Sequence, residues 1–79
     1  MNKVIIDTAR TEQGYSAACS LLPGWVVAYS GDFEGFRQYV QESIDFEIEG
    51  YKERGTAYPD VFDGEYELYF KFDVRSLLD

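Results

Sequence analysis

The chain contains no histidine, and its 79 residues include one cysteine and two prolines. Without histidine it lacks the side chain that most often serves as general base or metal ligand near neutral pH. A single thiol, Cys19, excludes a disulfide within the chain. Set in the apolar-rich stretch YSAACSL, that thiol reads as a buried structural group. Basic residues are few, and Lys3, Arg10, Arg37, Lys52, Arg54, Lys71 and Arg75 form no stripe. Phosphate contacts need clustered Lys and Arg, so nucleic-acid binding by this chain alone is disfavoured. No apolar run approaches the roughly 20 residues of a membrane span. The apolar stretch near the N-terminus is too short for a secretory signal. A cytoplasmic protein is expected, with no membrane partner. Gly-rich phosphate loops, Cys-x-x-Cys pairs, acidic calcium loops and Gly-x-Ser-x-Gly elbows are missing as well.

What is present is acid and aromatic. Fifteen acids against seven bases give a formal net charge of −8. By itself this keeps a protein soluble; it also speeds association with basic proteins. Hydrophobic residues make up 46% and aromatics 18% of the chain, which marks a folded protein rather than a disordered tail. So many rings on a short chain point to an interface, because Tyr suits wet-edged contacts. A homo-oligomer or a protein partner is therefore expected. The length fits one small domain, residues 1–79, that buries roughly 60–65% of its unfolded surface.

Pattern along the chain predicts the order β-β-β-α-β, an α+β fold. KVIIDTA, residues 3–9, is β-branched and reads as a strand; residues 15–21 alternate as a second, with Tyr15, Ala17, Cys19 and Leu21 on one side. Pro23-Gly24 makes a corner, and WVVAY, residues 25–29, resumes as a third strand. The period then changes to three or four: Phe33, Phe36, Val40, Ile44, Ile48 and Tyr51 form one helical stripe. Asp32 is its expected N-cap, Lys52 and Arg54 suit the last turn, and Gly55 suits the C′ position. Gly35 and Gly50 each cost up to about 1 kcal/mol against Ala in a helix interior, and Gly50 is a place for the helix to stop early or bend. A loop around Pro59 leads to residues 65–74, where Tyr66, Leu68, Phe70, Phe72 and Val74 alternate with Glu65, Glu67, Tyr69, Lys71 and Asp73. A helical crossover then returns the last strand parallel to strand one or strand three. One helix covers one face of four strands. The other face, with Tyr69, Lys71 and Asp73 beside Ile5 or Val26, is left for water, a second copy or a partner.

Several residues invite a chemical reading. Asp7, Glu42 and Asp73 are candidates for a metal-dependent nuclease, although a triple of carboxylates arises readily among fifteen acids. Trp25 suits a stacking platform, or the packing of a strand against the core. The run EIEGYKERG reads as a solvated helix end, with Glu49–Lys52 attracting and Glu49–Glu53 repelling. No catalytic residue, metal ligand or cofactor site is expected from this inventory.

The order and spacing of these pieces resemble the N-terminal domain of HicB-type antitoxins. A strand, then GYSAACSLLPG, then a strand running into SGD and an amphipathic helix, carries the likeness through Gly14, Tyr15, Ala17, Leu22, Pro23, Gly24, Gly31 and Asp32. Leu21 and Trp25 stand where that family commonly has Asp and Cys, and Gly35 replaces a helix former. The ending GEYELYFKFDVRSLLD is similar to longer members, in which this strand leads into a helix-turn-helix DNA-binding domain. DNA would be a ligand only of such a further domain.

The resemblance implies a partial ribonuclease-H-like sheet of order 3-2-1-4, which selects strand one for the crossover. It implies no nuclease activity. It implies a bacterial toxin–antitoxin system in which the domain binds and occludes a small basic HicA-type toxin that cleaves mRNA. In that setting the acidity reads as steering and as a cover for an RNA-binding surface. Trp25, Tyr29, Asp32, Glu34 and Glu42 are the expected partner-binding residues. The alternative is a stand-alone dimerising regulatory module without a toxin.

Overall fold

Alternation and capping place the four strands and the helix. In the computed structural model, which describes residues 2–73, β-branched Val4, Ile5, Ile6 and Thr8 hold β1 extended over Asn2–Arg10. Strand β2 covers Gly14–Ala18 and β3 covers Val26–Ser30. Helix α1 runs Phe33–Arg54, and β4 covers Tyr66–Phe72. The four strands form one mixed sheet in the order β3-β2-β1-β4, and α1 lies on one face. Strand β1 pairs antiparallel with β2 and parallel with β4, while β2 pairs antiparallel with β3. The architecture is the expected β-β-β-α-β fold, with the last strand beside strand one.

Register then sorts the side chains by parity. Val4, Ile6 and Thr8 of β1 stand level with Leu68, Phe70 and Phe72 of β4 and face the helix. Ala17 pairs with Thr8 on one side and Val27 on the other, and Tyr15 pairs with Tyr29. Against this face α1 packs Phe36, Val40, Ile44 and Ile48, all buried. Phe36, Val40, Ile44, Val4 and Ile6 are fully shielded from water. Thr8 is the buried polar residue among them, and its hydroxyl donates to the Ile6 carbonyl at 3.0 Å.

The helix caps are those expected. Asp32 Oδ1 accepts from the Gly35 amide at 2.9 Å. At the other end Gly55 takes the left-handed conformation (φ 68°), and the amides of Gly55 and Thr56 close on the carbonyls of Lys52 and Tyr51. Gly50 does not end the helix, which runs on to Arg54. A Cβ there would meet only the Arg54 guanidinium, the far end of a flexible side chain.

Strand ends shift by a residue or two elsewhere, but the corner after Ala18, the start of β3 and the Pro59 loop differ from expectation in kind. Strand β2 stops at Ala18, because the Leu22 amide donates to the Cys19 carbonyl and the Trp25 amide to the Leu22 carbonyl, both at 3.0 Å. Two tight turns thus replace the end of the strand, with Gly24 at φ 85° in the second. They swap two leucines: Leu22 is fully buried, whereas Leu21, expected beside Cys19, is exposed. Trp25 precedes β3 instead of opening it. The loop around Pro59 contains a 3-10 turn, Asp60–Asp63, that presses Phe62 into the core. In β4 the faces alternate as expected; Val74 lies outside the described residues.

Candidate interaction surface

Tyr29 is the best-fitted of the expected contact residues. It projects from β3 to the helix side, half-buried, with ring centroids 5.5 Å from Tyr39 and 6.4 Å from Phe36. A Cβ at Gly35 would collide with its hydroxyl, and one at Gly14 would collide with its carbonyl. Gly35, costly for a helix, is thus the gap that admits the tyrosine.

Asp32 and Glu34 follow within one turn. Asp32 is exposed and occupied as the helix cap. Glu34 is exposed and sits 3.4 Å from Arg37, the one ion pair among the described residues. Glu42 stands two turns further along, on the outer face of α1. Tyr29, Asp32 and Glu34 therefore gather at the start of the helix, and Glu42 lies apart from them. Trp25 is elsewhere again. It is 5% exposed, packs in the core, and donates its indole N–H to Ser43 Oγ at 3.0 Å. Almost no tryptophan surface is left for a partner. Its task in the fold is to anchor the corner to the helix.

Sequence reasoning missed Tyr39 and Phe46. Both lie off the buried stripe, seven residues apart and so on one flank of α1. Tyr39 is 39% exposed and Phe46 is 81% exposed. Glu42 and Glu49 are the i−4 and i+3 neighbours of Phe46, and Glu53 lies one turn beyond Glu49. The outer face of the helix is thus a bare phenyl ring set among exposed carboxylates. The signal in the sequence was an aromatic residue out of phase with the stripe.

The three carboxylates of the nuclease reading are not brought together. Asp7 is on the open face of the sheet, and Glu42 is on the outer side of the helix that covers the opposite face. Asp7 and Asp73 do line one hollow at the ends of β1 and β4, with Lys71. Among the described residues no three His, Cys, Asp or Glu side chains could hold a metal ion. Burial pushes the Cys19 thiol above its usual pKa, so it stays protonated and unreactive. Tyr58 donates to Asp63 at 2.7 Å, and that bond, more than burial, holds its phenol protonated to higher pH than usual.

The open face carries Ile5, Asp7, Ala9, Ser16, Ala18, Val26, Ala28, Tyr69 and Lys71. Tyr69 is level with Ile5, and the Lys3 ammonium lies 5.6 Å from its ring centroid. Among the described residues no helix is long and apolar enough to cross a membrane. Among the described residues the fold is a small α+β arrangement in which β3 and β4 are the sheet's edge strands, one sheet face is uncovered by α1, and the outer side of the helix is acidic. No protein-family model matches the chain, and neither the curated proteins nor the solved structures contain a significant match.

Proposed function

We propose that this chain is an antitoxin-like interaction domain of the bacterial cytoplasm, which binds a small basic HicA-type toxin and occludes the surface that grips mRNA. The observation that carries the reading is the outer face of α1. There an 81%-exposed Phe46 stands among Glu42, Glu49 and Glu53. A desolvated aromatic anchor ringed by charge is the arrangement that dominates binding energy at protein interfaces. The carboxylates would face Lys and Arg that otherwise hold RNA phosphates, which speeds encounter and blocks the substrate. Tyr29, Asp32 and Glu34 extend this acidic and aromatic surface to the helix start, with Tyr39 between. No chemistry is required of the chain; inhibition is steric and electrostatic.

The test is co-expression with the small basic protein encoded next to this gene. Co-purification that survives low salt, weakens as salt rises, and is lost in Phe46→Ser and Glu42→Lys/Glu49→Lys variants is the expected result. A neighbouring frame without a small basic protein, or no complex at low salt, sinks the reading.

A further inference from the structure

Strand β4 is one edge of the sheet, seven residues long, with no proline within it. Its outward backbone groups follow from one bond: the Asp73 amide donates to the Thr8 carbonyl at 2.9 Å, so odd-numbered residues turn their N–H and C=O toward β1. Tyr66, Leu68, Phe70 and Phe72 therefore aim theirs away from the sheet. Among the described residues no further strand meets them. On the helix side these four residues are half-buried: Phe33 and Phe36 of α1 reach Phe70 and Phe72, but the helix backbone lies nearer β2 and β3. Such an edge is a template for another strand unless something covers it.

We propose that it is covered by a second copy of this chain, β4 pairing antiparallel with β4 about a two-fold axis through Tyr69. The sequence of the strand is complementary to itself in that register. Leu68 meets the partner's Phe70, and Tyr66 meets the partner's Phe72. Those are the residues whose backbone groups face outward, so each forms a hydrogen-bonded pair. Tyr69 meets the partner's Tyr69 in a non-hydrogen-bonded pair, where side chains approach more closely. On the open face Glu67 meets the partner's Lys71, and the same contact recurs across the axis. Within each copy Lys3 is already level with Glu67, and Asp7 with Lys71. The row across the joint therefore reads Lys3, Glu67, the partner's Lys71, the partner's Asp7, with charge alternating at every step. The row between reads Ile5, Tyr69, the partner's Tyr69, the partner's Ile5, wholly apolar apart from the hydroxyls.

Other registers match less well. Centring on Phe70 sets Glu67 against the partner's Asp73, and centring on Leu68 shortens the overlap. In the Tyr69 register the like-charged pair, Glu65 with the partner's Asp73, falls beyond the strand ends. The opposite edge, β3, has five residues and no charge to match. A contact that pairs one patch with itself closes at two copies and leaves no β4 edge for further growth. The outer face of α1, which carries the toxin-binding proposal, points away from the sheet and stays free. The two readings stand or fall separately.

Sedimentation of the full chain, from micromolar to millimolar concentration, should show a monomer–dimer equilibrium. Glu67→Lys alone and Lys71→Glu alone each set two like-charged pairs across the joint and should weaken self-association by about tenfold or more. Mixed together, the two variants regain both opposite-charge pairs and should form a heterodimer; circular dichroism checks that each variant folds. Tyr69→Cys should oxidise to a covalent dimer, whereas Lys71→Cys, displaced from its own mate along the strands, should not. A monomeric wild-type chain would overturn the proposal. So would charge variants that dimerise like the wild type, a mixture that stays monomeric, or Lys71→Cys cross-linking as readily as Tyr69→Cys.

Discussion

The two faces of the sheet are built from the same strands and differ by one residue in phase. Ile6 and Ile5 are neighbours, yet Ile6 is fully buried under α1 and Ile5 is 40% exposed. Toward the helix stand Val4, Ile6, Thr8, Ala17 and the half-buried rings of β4; away from it stand alanines, serines, Tyr69, and charges of opposite sign set level across β1 and β4. One face therefore carries the cohesion of the domain, and the other carries its freedom to meet something else. Hydrophobic free energy follows area removed from water, so equal side chains contribute unequally across one peptide bond.

The largest effect should come from emptying the covered face. Ile6→Ala is expected to cost about 2–5 kcal/mol, much of the stability of a domain this small, whereas Ile5→Ala should stay within about 1 kcal/mol. Chemical denaturation of the pair measures the contrast directly; equal losses would contradict the assignment of faces. The two helix glycines should split in sign. Gly35→Ala collides with the Tyr29 hydroxyl and is expected to lose about 1–3 kcal/mol despite the better helix former. Gly50→Ala displaces only the Arg54 guanidinium and should gain about 0.4–1 kcal/mol. Asp32→Ala removes the cap bond to Gly35 and should cost about 1 kcal/mol, read from the same titration.

The smallest effect is on pH dependence. The Asp63 bond keeps Tyr58 protonated in the folded chain above the pH at which the unfolded phenol ionises. Its contribution is therefore complete below about pH 10 and is lost as pH rises through the folded value. Stability measured across alkaline pH should fall less steeply in Tyr58→Phe than in the wild type. The same slope in both would show that the phenol contributes nothing.

Local patterns were legible because their physics is local. The stripe from Phe33 to Tyr51 identified α1, and strict alternation identified β4 with its two faces. Asp32 and Gly55 marked the helix ends, since a cap needs only its own turn. The corner after Ala18 was misread for the opposite reason. Whether Leu21 or Leu22 points inward depends on two turns that the apolar letters around Cys19 do not announce. Trp25 is a solitary large ring in the sequence, but its burial comes from core packing, and its indole N–H donates to Ser43, eighteen residues away. Phe46 is out of phase with the stripe, but how far it is exposed depends on where the helix lies across the sheet. Gly35 looked like a defect of the helix until Tyr29 came to lie against it.

By itself, then, the sequence determined which segments become strands and which becomes the helix, and which letters of each share a face. Residue periodicity and capping chemistry act over a few positions and need no partner. Its periodicity left strand one and strand three both open to the last strand, and the order 3-2-1-4 came only from resemblance to a family. The tertiary structure decided that β4 lies against β1, that Tyr69 stands level with Ile5 and Lys71 with Asp7, and that the long helix leaves one edge half-covered. Those outcomes depend on contacts between residues some sixty positions apart, where packing a shared core, and not local preference, selects the neighbour.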